Sequence, residues 1–406
     1  MGITNTRGGD LNQLSAANRI CILNLIRDSR SISRTRISEI TNLSLSTVSR
    51  NVKQLLEEGF LLECGQGDSC GGRKPINVEP NPKAGYVIGI DFGSRSIQGV
   101  GLDFCGNIAC EVRRQITGQE YMEGLFRTLD RCIELIRGNC NTDAPKIFGI
   151  AVGVRGVIDM QAAAIVSCKS MGLKNVPLAD IIRRRYQVPV YIDLNTRYAV
   201  FAEWKMTFQE NIDNMAYVSI SHGLSAGIIL NRTIITGTTA SAGEIGEFLI
   251  SADKNGGRWR TLESVCGGQA LLRMMQEQWN DTENVYLKSR VSDKKDITVE
   301  EIVAAVKKGD AFARKIASRI GTPLGVGIVN LINDIDPGVI ILGGMCAELE
   351  DVLMQPVKEV VKEYLPEFIH EKIRIEFSRL KNDATAMGAA LMVFRKVFAE
   401  PLTSEI

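Results

Sequence analysis

Ser44-Leu-Ser-Thr-Val-Ser-Arg-Asn-Val-Lys-Gln-Leu-Leu-Glu-Glu-Gly59 is the stretch on which the fold of the N-terminal part turns. Hydroxyl side chains open it, where they can accept from the first free backbone N–H groups, and Gly59 closes it. Val48, Val52, Leu55 and Leu56 follow i, i+4, i+7, i+8, the period of one buried helical face. Upstream, Ile20, Leu23 and Ile26 form a second apolar stripe, and a short helix begins at Ser33 or Arg34 and stops at Thr41-Asn42. Downstream, Phe60-Leu-Leu-Glu63 and Ile76-Asn-Val-Glu79 have strand character on either side of a glycine-rich tip, 65–75. Three helices followed by a β-hairpin predict a winged helix-turn-helix over residues 1–80.

The chemistry of this head is that of a nucleic-acid reader. Ser46, Thr47, Ser49, Arg50 and Asn51 at the start of the third helix, with Lys53 after them, can approach phosphates and base edges in a major groove. Arg73 and Lys74, within Gly71-Gly-Arg-Lys-Pro75, put two cations on an extended wing suited to a minor groove. The alternative, a plain helical packing domain, has no need of a basic glycine-rich hairpin. Residues 1–80 carry ten Lys/Arg against eight Asp/Glu, so local placement and dimerisation must supply the attraction.

Whole-chain composition narrows the rest. The 406 residues are 45% hydrophobic and 23% charged with a net charge of +1, which excludes dominant disorder and a generally basic coating protein. No apolar run reaches the ~18–20 residues of a membrane span and no signal peptide opens the chain, which points to a cytoplasmic protein. Ten scattered cysteines without a Cys-x-x-Cys pair read as core residues, and two histidines leave a metal site short of ligands.

After a turn-rich joint at 81–86 the pattern alternates. Strands are expected at Tyr86–Asp91, Gly99–Asp103, Lys146–Val152, Val188–Asp193, Met215–Ser221 and Val339–Gly344, with an amphipathic helix at Tyr121–Arg137. That alternation argues an α/β body of two similar halves.

Four segments of this body, in order, are Gly89-Ile-Asp-Phe-Gly-Ser-Arg-Ser96, Gly149–Asp159, Ala242-Gly-Glu-Ile-Gly246 and Pro337–Gly344. Together with Lys381–Ala390 they resemble the ROK family of repressors, open reading frames and sugar kinases. The resemblance spans about residues 14–395 and implies a duplicated actin-like, ribonuclease-H-type body. Its boundaries would be a first lobe at 87–195, a second lobe at 196–395 with the effector cleft and dimerisation surface, and a tail at 396–406. The head points to the regulator branch.

Departures from the kinase pattern carry the functional expectation. Counting back from Glu203 puts Asn195 where family kinases have the Asp general base; an amide can hold a hydroxyl but cannot take its proton. Asp193, two residues earlier on the same strand face, is the alternative base. Asp91-Phe-Gly-Ser-Arg95 stands for Asp-x-Gly-Gly-Thr, and Ser221-His-Gly-Leu-Ser-Ala-Gly227 for the Gly-Thr-Gly-x-Gly phosphate loop. The family's one-His, three-Cys zinc positions hold Glu247, Lys254, Gly256 and Thr261, so no metal is expected. Glu244 and Glu263 survive at positions where the family contacts sugar hydroxyls, and Glu247 stands beside them; pairing with Arg258 or Arg260 is the other use of these acids. The expectation is a sugar-responsive repressor with no cofactor and no catalytic residue, acting as a homodimer or tetramer on a double-stranded DNA operator, with Asn195, Glu244, Glu247 and Glu263 at the effector. A sugar kinase with a DNA-binding head and a regulator controlled by a protein partner are the competing readings.

Overall fold

The computed structural model describes residues 7–66, 76–116, 118–140, 144–252, 259–280 and 285–398. The head has helices Arg7–Ser29, Arg34–Thr41 and Leu45–Glu57, then strands Leu61–Gln66 and Ile76–Pro80. Ser33 caps the second helix by accepting from the Arg36 N–H, and Asn42 ends it in the left-handed region at φ 56°. Ser44 caps the third by accepting from Thr47 N–H at 3.2 Å. A two-residue strand, Ile32–Ser33, adds a third member to the wing sheet by pairing with Ile76–Pro80; it is too short to announce itself in a hydrophobic pattern. Val48, Val52 and Leu55 are buried as the helical period requires, while Leu56 is only half-buried.

Contacts divide the chain into two compact units. The first comprises Met1–Val152, Leu178–Tyr191 and Ala389–Ile406, and the second Gly153–Pro177 and Ile192–Gly388.

Within the first unit the joint after the head is hydrogen-bonded rather than loose. Asn81 N–H donates to Phe60 O and its amide to Gly59 O, at 2.9 and 2.8 Å, and the same side chain accepts from Lys83 N–H. Phe60 of the head, Phe104 and Phe148 of the α/β part, and Phe394 and Phe398 near the C-terminus then meet ring to ring, with centroids 5.1–6.3 Å apart. Lys146 and Arg27 lie over these rings at 5.0 Å, and the Asn24 amide donates to Phe398 O. Phe398 falls in the segment read from sequence as a tail; its ring is 9% exposed because it closes this cluster.

The body holds two five-stranded sheets. The first runs Ile108–Gln115, Ser96–Asp103, Tyr86–Phe92, Ile147–Val154, Val190–Leu194 in space, and the second Thr233–Ile234, Leu224–Leu230, Met215–Ile220, Val339–Gly343, Arg374–Phe377. Numbered by appearance within each sheet, both read 3-2-1-4-5, which is the duplication written in topology. The first three strands of each form an antiparallel meander. Parallel strands complete the second sheet.

In the second unit a short helix, Asn195–Ala202, is buried on all sides, as a helix in the middle of a body must be. The final helix, Ala384–Val397, lies against it through Gly388, where any Cβ would collide with the Tyr198 carbonyl oxygen. Among the described residues no helix is long and apolar enough to cross a membrane.

Candidate functional site

Ser46 and Arg50 are exposed on the third helix of the head, and Thr47 and Ser49 are half-buried. Lys53 is exposed and 3.7 Å from Glu57, one turn on, a pair too solvated to fix the side chain. Asn51 is different. It is 2% exposed and its amide donates to Thr47 O at 2.9 Å, so it packs on the inner face of the helix and leaves the set of residues available to DNA. A helical stripe at i, i+4 predicted Val48 and Val52 inside; Asn51, three residues after Val48, lies about 60° from it in projection, on the side away from Val52, and is buried at the edge of that face. Arg73 and Lys74 lie outside the described residues, as do Lys254, Gly256 and Arg258.

The effector residues named from sequence all fall in the second unit. Asn195 is 9% exposed and opens the buried helix; its carbonyl accepts from the Thr385 hydroxyl at 3.3 Å, and its amide has no hydrogen-bond partner among the described residues. The amide atoms are not sealed from solvent, so water or a ligand hydroxyl can reach them. Asp193, the alternative base, is engaged: its Oδ1 accepts from the Arg197 guanidinium at 2.6 Å and from Leu194 N–H at 2.7 Å. Arg197 is completely buried and also donates to Ala240 O and Thr236 O, at 2.6 and 3.2 Å.

Glu263 is half-buried. Its Oε2 accepts from Leu224 N–H at 2.8 Å, its N–H donates to Gly246 O, and the carboxylate lies so near Gly223 that a Cβ there would strike it. Glu244 is held above the usual carboxylate range, first by desolvation, then by the nearby charges of Glu247 and Glu263, with Arg197 opposing. The three glutamates and Arg197 therefore share one electrostatic neighbourhood. Neither Glu244 nor Glu263 forms an ion pair among the described residues, Arg260 included, and their acceptor oxygens suit neighbouring hydroxyls.

The turn at 221–223 is closed by its own backbone. Ser221 O accepts from Gly268 N–H at 2.6 Å and His222 O from Gln269 N–H at 3.1 Å, which uses the first donors of the helix Gly268–Glu277. The Ser221 hydroxyl accepts from Met345 N–H at 3.3 Å. Free N–H groups at a helix start are what a phosphate needs, and here the turn occupies the first two, those of Gly268 and Gln269. Glu203, the reference point for the Asn195 assignment, is wholly buried and accepts from Ser378, Thr207 and Leu380. Among the described residues no three His, Cys, Asp or Glu are grouped to hold a metal.

Sequence reasoning missed Arg197 and Ser221. Asp193 lies in the strand Val190–Leu194 and Arg197 in the first turn of the helix that follows, so the pair forms across a strand-to-helix turn and the helical i, i+4 rule gives no signal for it. Nothing local marks Ser221, whose partners are 47 and 124 residues away.

Comparison with known proteins completes the description. A xylose repressor of Caldicellulosiruptor bescii is 29% identical over 97% of this chain and 99% of its own length. The DNA-binding transcriptional dual regulator NagC of Escherichia coli is 24% identical over 95% of this chain and 94% of its own. A solved ROK family transcriptional regulator, a homologue of the E. coli MLC protein, superposes over 96% of this chain and 98% of its own with a TM-score of 0.77 at 21% identity. A solved ROK glucokinase from Streptomyces griseus covers only 76% of this chain, with a TM-score of 0.64 at 20% identity. Residues 17–61 match the winged helix-turn-helix DNA-binding model. Residues 87–396 match the ROK family model, and the chain belongs to that family.

Proposed function

We propose that the protein is a sugar-responsive transcriptional repressor of carbohydrate-use genes, working in the cytoplasm as a homodimer or tetramer on a double-stranded DNA operator. The observation that carries this reading is coverage. Likeness to a repressor runs through head and body alike, over 97% of the chain, whereas likeness to a glucokinase stops at 76%. In this reading Ser46, Thr47, Ser49, Arg50 and Lys53 meet DNA, with Arg73 and Lys74 on the wing. Asn195, Glu244, Glu247 and Glu263 hold a sugar or sugar derivative in a cleft of the body.

Kinase chemistry is lost in this reading. Phosphoryl transfer to a hydroxyl needs a base and a cradle for the phosphates. Asn195 stands at the base position and cannot accept the proton. Ser221 and His222 take the first two N–H donors of the adjacent helix start. Recognition needs neither part, only acceptors and donors for hydroxyl groups.

Glu263→Gln is the decisive variant. It keeps an oxygen acceptor for Leu224 N–H and removes the charge that strengthens hydrogen bonds to sugar hydroxyls. Pentoses, hexoses and amino sugars are first screened by thermal shift, since a ligand of the folded state raises the melting temperature. The sugar so found should bind the variant roughly 10–100-fold more weakly. Affinity for a duplex selected from random DNA, measured without sugar, should stay within about twofold of wild type, a surface-scale change. Sugar release of DNA that survives Glu263→Gln intact, or ATP-dependent sugar phosphorylation by the wild type, would overturn the reading.

A further inference from the structure

The second unit has a cavity of about 430 Å³ away from the carboxylate site, and its lining is basic. Lys358 and Lys362 come from the helix Glu350–Tyr364, His370 ends the short helix Glu367–His370, and Arg374 begins the edge strand Arg374–Phe377. Glu376 is the one acid in the lining; its carboxylate is 3.9 Å from the Arg374 guanidinium and 3.4 Å from that of Arg379. Three permanent cations against one carboxylate leave an excess of two positive charges in a space of small-molecule size.

Helix electrostatics do not account for this arrangement. A cation in the last turn complements the helix dipole, which explains Lys362. Lys358, one turn earlier, gains little from the dipole and stands at i, i+4 to a like charge, an unfavourable pair. Neither lysine has an ion-pair partner among the described residues. Arg374 and His370 reach the same space from two further elements. Val361, also in the lining, supplies an apolar wall for a carbon skeleton.

We propose that this cavity binds a phosphate dianion, in the form of a small phosphate monoester. Two lysine ammonium groups and a guanidinium supply the donors that phosphate oxygens take, and the charge excess equals the charge of the ligand. This site is separate from the hydroxyl-binding residues around Glu263 and does not depend on the repressor reading.

Titration calorimetry on the full chain, with glucose 6-phosphate and inorganic phosphate as probes at constant ionic strength set by chloride, tests it. The wild type should bind both saturably. Lys358→Gln/Lys362→Gln should weaken both roughly tenfold or more, the loss expected for charge-assisted contacts. Arg374→Gln should weaken them independently, and circular dichroism should show both variants folded. Glu263→Gln should leave inorganic phosphate binding unchanged, which separates this site from the sugar site. Heats no larger than those from added chloride, or equal affinity in the lysine variant, would overturn the proposal. So would a lysine variant that lowers only the salt slope of DNA binding, because the cations would then serve a phosphodiester backbone.

Discussion

The two sheets of the body share the order 3-2-1-4-5, yet their surroundings differ in chemistry. Around the first, Phe104 and Phe148 join Phe60, Phe394 and Phe398 in an aromatic cluster that ties the DNA-reading head to its own unit. Around the second, the turn between its first two strands, 221–223, is bonded to helix-start N–H groups, and Leu224 beside it to the Glu263 carboxylate. One copy of a duplicated topology borders an aromatic cluster, and the other a group of polar and charged side chains. Strand order is set by the backbone and survives both uses, while side chains divide the labour.

The largest expected effect tests the apolar side of that contrast. Phe104 is completely buried and touches the other four rings. Phe104→Ala should cost about 3–5 kcal/mol of stability in urea unfolding, and the sugar-induced thermal shift should persist wherever the variant remains folded. A loss under about 1 kcal/mol, the range of a mild surface change, would mean that the rings do not form a structural joint.

A smaller effect separates two neighbours on the recognition helix. Arg50→Ala should weaken specific DNA binding by about 1–3 kcal/mol and leave the melting temperature nearly unchanged, because Arg50 is exposed. Asn51→Ala should do the reverse, lowering stability through the lost bond to Thr47 O while base preference holds. Fluorescence anisotropy against thermal melting distinguishes the two. Equal behaviour would erase the distinction between inner and outer faces.

The smallest effect concerns charge in the polar site. Glu244 has its folded pKa raised above the unfolded value of 4.5, so the folded state favours its protonated form. Stability from that preference is fully present below pH 4.5 and is lost as pH rises through the raised value. Glu244→Gln should therefore melt close to wild type at low pH and slightly higher than wild type near neutrality. A variant that melts lower at neutral pH would show that the charged carboxylate is stabilising, in conflict with its crowding by Glu247 and Glu263.

Much of the fold was legible because its signals are local. The third helix was readable from Ser44, the Val48/Val52/Leu55 stripe and Gly59, and each of these acts within a turn or two of chain. Its neighbours were readable for the same reason, from Ser33 as cap to Asn42 as stop. The two-residue strand Ile32–Ser33 was not, since its existence depends on a partner 46 residues away. Among the candidate site residues, Glu244, Glu247 and Glu263 were named through the family framework, and the fold places them near enough for the charges of Glu247 and Glu263 to raise the Glu244 pKa. Asn51 was assigned to DNA on its polar side chain, although its position three residues after Val48 puts it at the edge of the inner face, where the fold buries it.

By itself the sequence determined the elements: where helices are capped, where apolar runs become strands, and which residue types are present for contacts with DNA and sugar. These depend on interactions of short range, on backbone torsion, capping and hydrophobic period. Only tertiary structure decided how the groups are spent. It pairs Asp193 with the buried Arg197, uses Ser221 to satisfy donors of two later segments, seals Phe398 among four other rings, and brings Lys358 and Arg374 to one cavity. A side chain's role depends on its partners, and partners distant in sequence meet only when the chain has packed.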